Sequence, residues 1–185
     1  MAGWQRSKSG NSMKHLLAVA LLLLGAAMAC SAQSATKQAC NVVVDVTDID
    51  PKGTNVRAAP GGAIIAALKN STSDGWVIVH LTGQLGDWYE IDRASLMDAD
   101  LPPGGKVIFQ GTGYLHKSVV GVSGMQNGGF IYREHNIKSD LLDGPASGDQ
   151  QVELLGCWEG FLKVHVKKGV GWTQHACINM NTTCV

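Results

Sequence analysis

One β-rich pattern is written twice between residues 41 and 184. Asn55-Val56-Arg57 matches Ile131-Tyr132-Arg133, Ile64-Ile65 matches Leu141-Leu142, and Val77-Ile78-Val79 matches Val152-Glu153-Leu154. Gly86-Asp87-Trp88-Tyr89-Glu90-Ile91 matches Glu159-Gly160-Phe161-Leu162-Lys163-Val164, and Gly113-Tyr114-Leu115 matches Gly171-Trp172-Thr173. The offset stays between 73 and 77 residues and falls to 58 at the last pair. The fall marks an insertion in the first copy near residues 93–106, around Pro102-Pro103-Gly104-Gly105. Self-similarity at this period predicts two tandem domains, over 41–122 and 128–185, joined by the Gly-rich stretch 121–129.

Each copy reads as short strands. Trp76-Val77-Ile78-Val79, Val107-Ile108-Phe109 and Val119-Val120-Gly121-Val122 are β-branched or aromatic runs bounded by Gly, Asp, Asn and Ser. Phe161 to Val166 alternates as a half-buried strand should, which turns His165 to solvent. No window in this region has a helical period, so helix is confined to single turns.

The first 35 residues are of another kind. Leu16 to Ala29 is an apolar run of 14 residues behind Lys14, too short for a membrane span of ~20 residues and suited to a secretory signal. Met13-Lys14-His15 followed by this run has the form of a signal beginning, which makes Met13 the alternative start to Met1. Ala27-Met28-Ala29 forms an A-x-A cleavage site directly before Cys30, so the product is either soluble and periplasmic or secreted, or a lipoprotein anchored through Cys30. The soluble form is the reading taken, and membrane contact is expected only with lipidation of Cys30.

Net charge is zero over the chain, but the first 35 residues hold Arg6, Lys8 and Lys14 and no acid. The remainder carries 12 basic against 15 acidic residues, a balance of −3, which argues against nucleic acid as a partner. The exported body keeps Cys40, Cys157, Cys177 and Cys184, an even set that reads as two disulfides. Three of them lie in the last 29 residues. Cys157 is therefore expected to join Cys177 or Cys184, with one bridge from Cys40 tying the repeats together. Cys157, Cys177, Cys184 and His175 match no common zinc spacing, so no metal or other cofactor is expected.

The residues Asn55-Val56-Arg57-Ala58-Ala59-Pro60-Gly61 resemble the N-V-R-x-x-P opening of bacterial SH3-like (SH3b) domains. Leu155-Gly156-Cys157, the strand to Val164, Gly171-Trp172, Cys177 and Thr182-Thr183-Cys184 resemble an exported proteobacterial variant of that family. The second copy departs from the opening motif, and Tyr114 stands where the family usually has Trp. The resemblance implies an all-β chain of two small SH3-like barrels. It also implies non-catalytic recognition of cell-wall peptidoglycan or a peptide, with a periplasmic protein–protein adaptor or inhibitor as the alternative.

Catalysis has little support. His80, His116, His135, His165 and His175 are scattered singly, and no H-E-x-x-H, G-x-S-x-G or Walker motif is present. Asp48, Asp50, Asp98 and Asp100 read as turn chemistry. The aromatics carry the binding argument. Trp88, Phe161 and Trp172 are expected mainly to plug the cores. The candidate ligand-binding residues are Arg57, Tyr89, Tyr132 and Arg133, with Arg suited to forking onto a carboxylate. Any groove is expected near the junction of the two repeats.

Overall fold

The computed structural model describes residues 36–69, 74–147 and 150–178, so the expected signal segment, Cys30 and Cys184 lie outside the described residues. The chain is all-β. Its strands are β1 (Gln38–Val46), β2 (Thr54–Arg57), β3 (Ile64–Leu68), β4 (Trp76–Leu85), β5 (Trp88–Met97), β6 (Lys106–His116) and β7 (Val120–Gly121) in the first half. The second half holds β8 (Gly124–Met125), β9 (Ile131–Tyr132), β10 (Leu141–Asp143), β11 (Glu153–Trp158), β12 (Phe161–Val166), β13 (Gly169–Thr173) and β14 (Ala176–Cys177). The described helix is a single 3-10 turn, Lys117–Val119.

The internal repeat is visible in the topology. The larger sheet runs β3-β2-β6-β5-β4-β1-β7 and the smaller one β10-β9-β13-β12-β11. The first five strands of each order correspond one to one. Both copies also carry an irregularity at the same place, between Leu81 and Gly83 in β4 and between Leu154 and Gly156 in β11. A shared bulge fixes a shared bend. The ladders curl as open antiparallel sheets, so among the described residues hydrogen bonding does not close either into a ring.

Cross-strand pairing corrects the sequence match at its first element. Arg57 pairs with Tyr114, and Tyr132 pairs with Trp172. Arg57 is therefore the counterpart of Tyr132, not of Arg133, and Val56 is the counterpart of Ile131. Glycine packing gives the same answer. A Cβ on Gly113 would meet Val56 Cγ1 at 2.3 Å, and one on Gly171 would meet Ile131 Cγ2 at 2.5 Å. Each glycine lets the first strand of its repeat cross close to the last. At β4 and β11 the match moves by two residues, from Val79 to Leu81 opposite Leu154. That shift preserves which side chains point inward.

The insertion near 93–106 is mostly strand. Arg93 to Met97 pairs with β4 on one side and with β6 on the other, leaving only the turn around Pro102 outside the ladder. The Gly-rich junction is also ordered. Gly124 and Met125 pair with Cys177 and Ala176, and Met125 is fully buried. Residues of both repeats form one continuous core, including Val44, Val79, Ile91 and Leu115 from the first and Ile131, Leu162 and Val164 from the second.

The repeats meet along β1. Asn41 N–H donates to the Glu159 carbonyl at 2.7 Å, and Glu159 N–H donates to the Ala39 carbonyl at 2.8 Å. Beside them Cys40 is bonded to Cys157 across 117 residues of chain. This corrects the expected pairing of Cys157 with Cys177 or Cys184: nearness in sequence misled, because β1 runs past the β11–β12 turn. The expected bridge between repeats is present. Cys177 is also disulfide-bonded.

Two outcomes test this architecture. Gly171→Ala should lower stability by about 1–3 kcal/mol, since its Cβ meets the Ile131 side chain and, at 2.7 Å, the Tyr132 carbonyl oxygen; a urea midpoint equal to that of the parent would contradict the close crossing. The double change Cys40→Ala with Cys157→Ala should cost about 2–4 kcal/mol. Peptide mapping of the non-reduced protein checks the pairing directly, and a Cys157–Cys177 peptide would overturn it.

Candidate functional site

Alternation along β12 sends Leu162 and Val164 into the core and Phe161, Lys163 and His165 outward. Pairing then aligns one outer row across the second sheet, in the order Tyr132, Trp172, Lys163, Gly156. Lys163 Nζ lies 5.6 Å from the centroid of the Trp172 ring. Tyr132 meets Phe161 edge-on with ring centroids 6.4 Å apart. His135 stacks on Trp158 at 4.5 Å and meets Trp172 edge-on at 5.2 Å. The loop carrying His135 is organised by its own bonds, with Arg133 N–H to the Asp140 carbonyl at 2.9 Å and Ser139 N–H to the Asn136 carbonyl at 3.0 Å. Trp158 at the hairpin end is 37% exposed. The result is an aromatic platform held from several elements.

A groove of about 250 Å³ opens at the end of this row, where the repeats meet. Its walls include Lys163, Trp172, Gly156 and Cys157 from the second repeat and Gln38 and Gln84 from the first. Gly156 leaves the room that the Gln84 side chain enters, since a Cβ there would lie 2.7 Å from Gln84 Oε1. That oxygen accepts from Cys157 N–H at 3.2 Å, while the Gln38 amide donates to the Cys157 carbonyl. The groove is small for a drug-sized ligand and suits one ring or one charged side group.

The first repeat has the same row with different chemistry: Arg57, Tyr114, Glu90, Gly83. Here the carboxylate of the row is satisfied from within. Tyr114 Oη donates to Glu90 Oε2 at 2.7 Å, Thr82 Oγ1 donates to Glu90 Oε1 at 3.0 Å, and Lys37 Nζ reaches Glu90 Oε1 at 2.5 Å. Burial works to raise the Glu90 pKa, but the bonds from Lys37, Tyr114 and Thr82 win and hold it below its ordinary value. The same bond to Glu90 raises the Tyr114 phenol.

The four candidate residues from the sequence have separate fates. Tyr132 lies in the aromatic row. Arg133 is exposed in the adjoining loop and is not part of the groove wall. Arg57 is spent on its own loop, with Nη1 donating to the Gly62 carbonyl at 2.7 Å. Tyr89 is corrected outright: it is 1% exposed, because it occupies an inward position of β5, and burial pushes its pKa up to about 12. The same alternation reverses the expectation that Trp88, Phe161 and Trp172 plug the cores. They stand half-buried on the outer faces, while Tyr89, Leu162 and Thr173 fill the inside. Lys163 and His135 were missed as site residues, and Trp158 counted among the aromatics near turns without being singled out. Alternation from Phe161 could have found Lys163; the approach of His135 to Trp158 has no sequence signal.

Outside the groove, His80 ties three strands through Nδ1 to Asp92 Oδ1 at 2.7 Å and Nε2 to Asn41 Oδ1 at 2.9 Å. Asp45, in β1 between Ile78 and Gly121, has its pKa raised from 3.8 to about 6 by burial, opposed by the Val46 N–H. Its Oδ1 is buried without a partner. The native state therefore keeps a proton that the unfolded chain has shed between pH 3.8 and about 6. Stability falls as pH rises through that window, and the deficit is fully present above it. Asp45→Asn should raise stability by about 1–2 kcal/mol at pH 8, a figure discounted for partial solvent screening, and should give no gain near pH 3. Urea titrations at the two pH values check the sign, and an equal gain at both would remove the titration argument.

Comparison of the chain with protein-family models, with curated proteins and with solved structures finds no match.

Proposed function

We propose that this chain is a non-catalytic binding module of two SH3-like repeats that recognises cell-wall peptidoglycan. The observation that carries the reading is the aromatic platform of Trp158, His135, Trp172 and Tyr132 beside the groove between the repeats. Large rings on a sheet face offer contact area at low entropic cost, and stacked pairs hold their orientation before a ligand arrives. The apolar N-terminal run and a cross-repeat disulfide suit an exported protein in an oxidising compartment, periplasmic or secreted.

A second reading, a protein–protein adaptor, is favoured by a separate feature. The terminal strands β7 and β11 of the two sheets flank an apolar groove of about 370 Å³ that includes Val120, Val122, Val152 and Leu154. An extended peptide can add to such an edge as a further strand.

Sedimentation with purified peptidoglycan sacculi separates the two. The native chain should co-sediment, and Trp158→Ala should weaken binding about tenfold or more while leaving the melting temperature near that of the parent. A chain that stays in the supernatant, and is retained only on a protein partner, would replace the first reading with the second.

A further inference from the structure

The two repeats place opposite charges at one and the same position. Glu90 pairs with Tyr114 across β5 and β6, and Lys163 pairs with Trp172 across β12 and β13. In the first repeat the chain completes the ion pair itself, because Lys37, just before β1, brings its ammonium to the Glu90 carboxylate at 2.5 Å. In the second repeat only the ammonium is present. Lys163 makes no ion pair among the described residues, and its recorded partner is the Trp172 ring. Glu153 faces His165 across the β11–β12 ladder, with 3.4 Å between Oε2 and Nδ1.

We infer that the groove beside Trp172 takes the carboxylate of a ligand, anchored by Lys163, and that each chain binds one such group because the matching position in the first repeat is itself a carboxylate, Glu90, already paired with Lys37. The inference rests on the binding reading above and deepens it by naming the ligand's charge.

The chemistry is direct. An ammonium has three N–H donors and no acceptor. Lying over the Trp172 ring, Lys163 is oriented by a cation–π contact that uses its charge but leaves its donors to face the groove. A carboxylate entering there makes charge-assisted hydrogen bonds. Lys163 is the one cationic side chain among the described groove walls, and the neutral Gln84 and Gln38 amides are engaged with Cys157 and Gly86. The apolar part of the ligand, a sugar ring or a short aliphatic stem, rests on Trp172. The volume of about 250 Å³ admits one such group and not a folded domain. In the first repeat Tyr114, Thr82 and Lys37 together satisfy Glu90, and the other charged group of that row, Arg57, donates to the Gly62 carbonyl of its own loop.

The carboxylate could come from the lactyl arm of a muramic acid or from an acidic stem residue, and the test separates these sources. The 15N-labelled chain beginning at Thr36 or earlier is titrated with N-acetylmuramic acid, with alanylglutamate, and with N-acetylglucosamine as the neutral sugar. The Trp172 indole and Lys163 amide signals are followed. The carboxylate probe of the true source should bind about tenfold more tightly than the neutral sugar at low salt, consistent with one charged hydrogen-bonded contact, and should lose that margin as salt rises. Lys163→Gln should level the probes, Lys163→Arg should retain the preference, and Glu90→Gln should leave it unchanged. Equal binding of charged and neutral probes, with shifts still at Trp172, would overturn the carboxylate inference and leave the binding reading standing. No shift from any probe also overturns it, and sacculus sedimentation then decides the broader reading on its own.

Discussion

The backbone of Glu159 is gripped from both sides by β1, and the Cys40–Cys157 bond beside it makes that grip covalent. Glu159 is the one non-glycine residue among those described with a left-handed backbone, at φ 45°. Such a conformation costs on the order of 1–2 kcal/mol and persists where its surroundings fix it. Here the surroundings are two hydrogen bonds and a disulfide. Holding this turn sets the angle of the β11–β12 hairpin, and Trp158 sits at the end of that hairpin. The aromatic platform therefore depends on a contact made by a strand of the other repeat. A repeat of this size buries too little surface to be robust alone, and the shared core and shared strand offset that weakness.

Two copies of one topology have been put to different use. In the first, Glu90, Tyr114, Thr82 and Lys37 close on each other, and Arg57 closes on its own loop. That repeat is stiffened by contacts a ligand would otherwise compete for. In the second, rings replace hydroxyl and guanidinium groups along the same row, and their polar neighbour is a lone ammonium. Stiffness in one copy and openness in the other are complementary, because the first supplies one wall of the groove whose opposite wall is the second.

How much of this could be read from the sequence depends on what each element uses for its signal. The strands Trp88–Ile91 and Phe161–Val164 were aligned correctly, because alternation and the turn before them leave a dense pattern. The match at Arg57 slipped by one residue, because Arg133 imitates Arg57 chemically while Tyr132 replaces it structurally. Only Gly113 and Gly171, each pressed against the strand it crosses, carry the true register, and a glycine says nothing in a sequence about what it touches. The aromatic placement failed for a related reason. Size suggested that the tryptophans were core, yet in strands of period two the inward positions were set by Ile91 and Val164, and the rings next to those positions had to face out. The disulfide failed because pairing follows strand adjacency, and β1 reaches Cys157 only through a contact between repeats. The expectation of a groove at the junction came from the idea that two packed bodies leave a concavity; one groove lies there, and another, of about 390 Å³, lies within the first repeat against Val46, Thr54, Leu68 and Trp76.

The same clamp also sets what the groove can discriminate. Gln38 and Gln84 would ordinarily be the residues that read hydroxyls and amides on a ligand, and both line the wall. Their amides are committed to the Cys157 backbone, on the terminal strand β11 of its sheet, and to the Gly86 carbonyl in the turn after β4, where they satisfy peptide groups. Releasing either to meet a ligand would leave a buried peptide group without a partner, a cost of about 1–3 kcal/mol that cancels the new bond. Under the proposed binding role, polar recognition would fall to groups with no such duty, Lys163 and the edge of Trp172. A wall that is rigid because its amides are employed, facing a ring and a charge that are not, gives shape from one repeat and chemistry from the other.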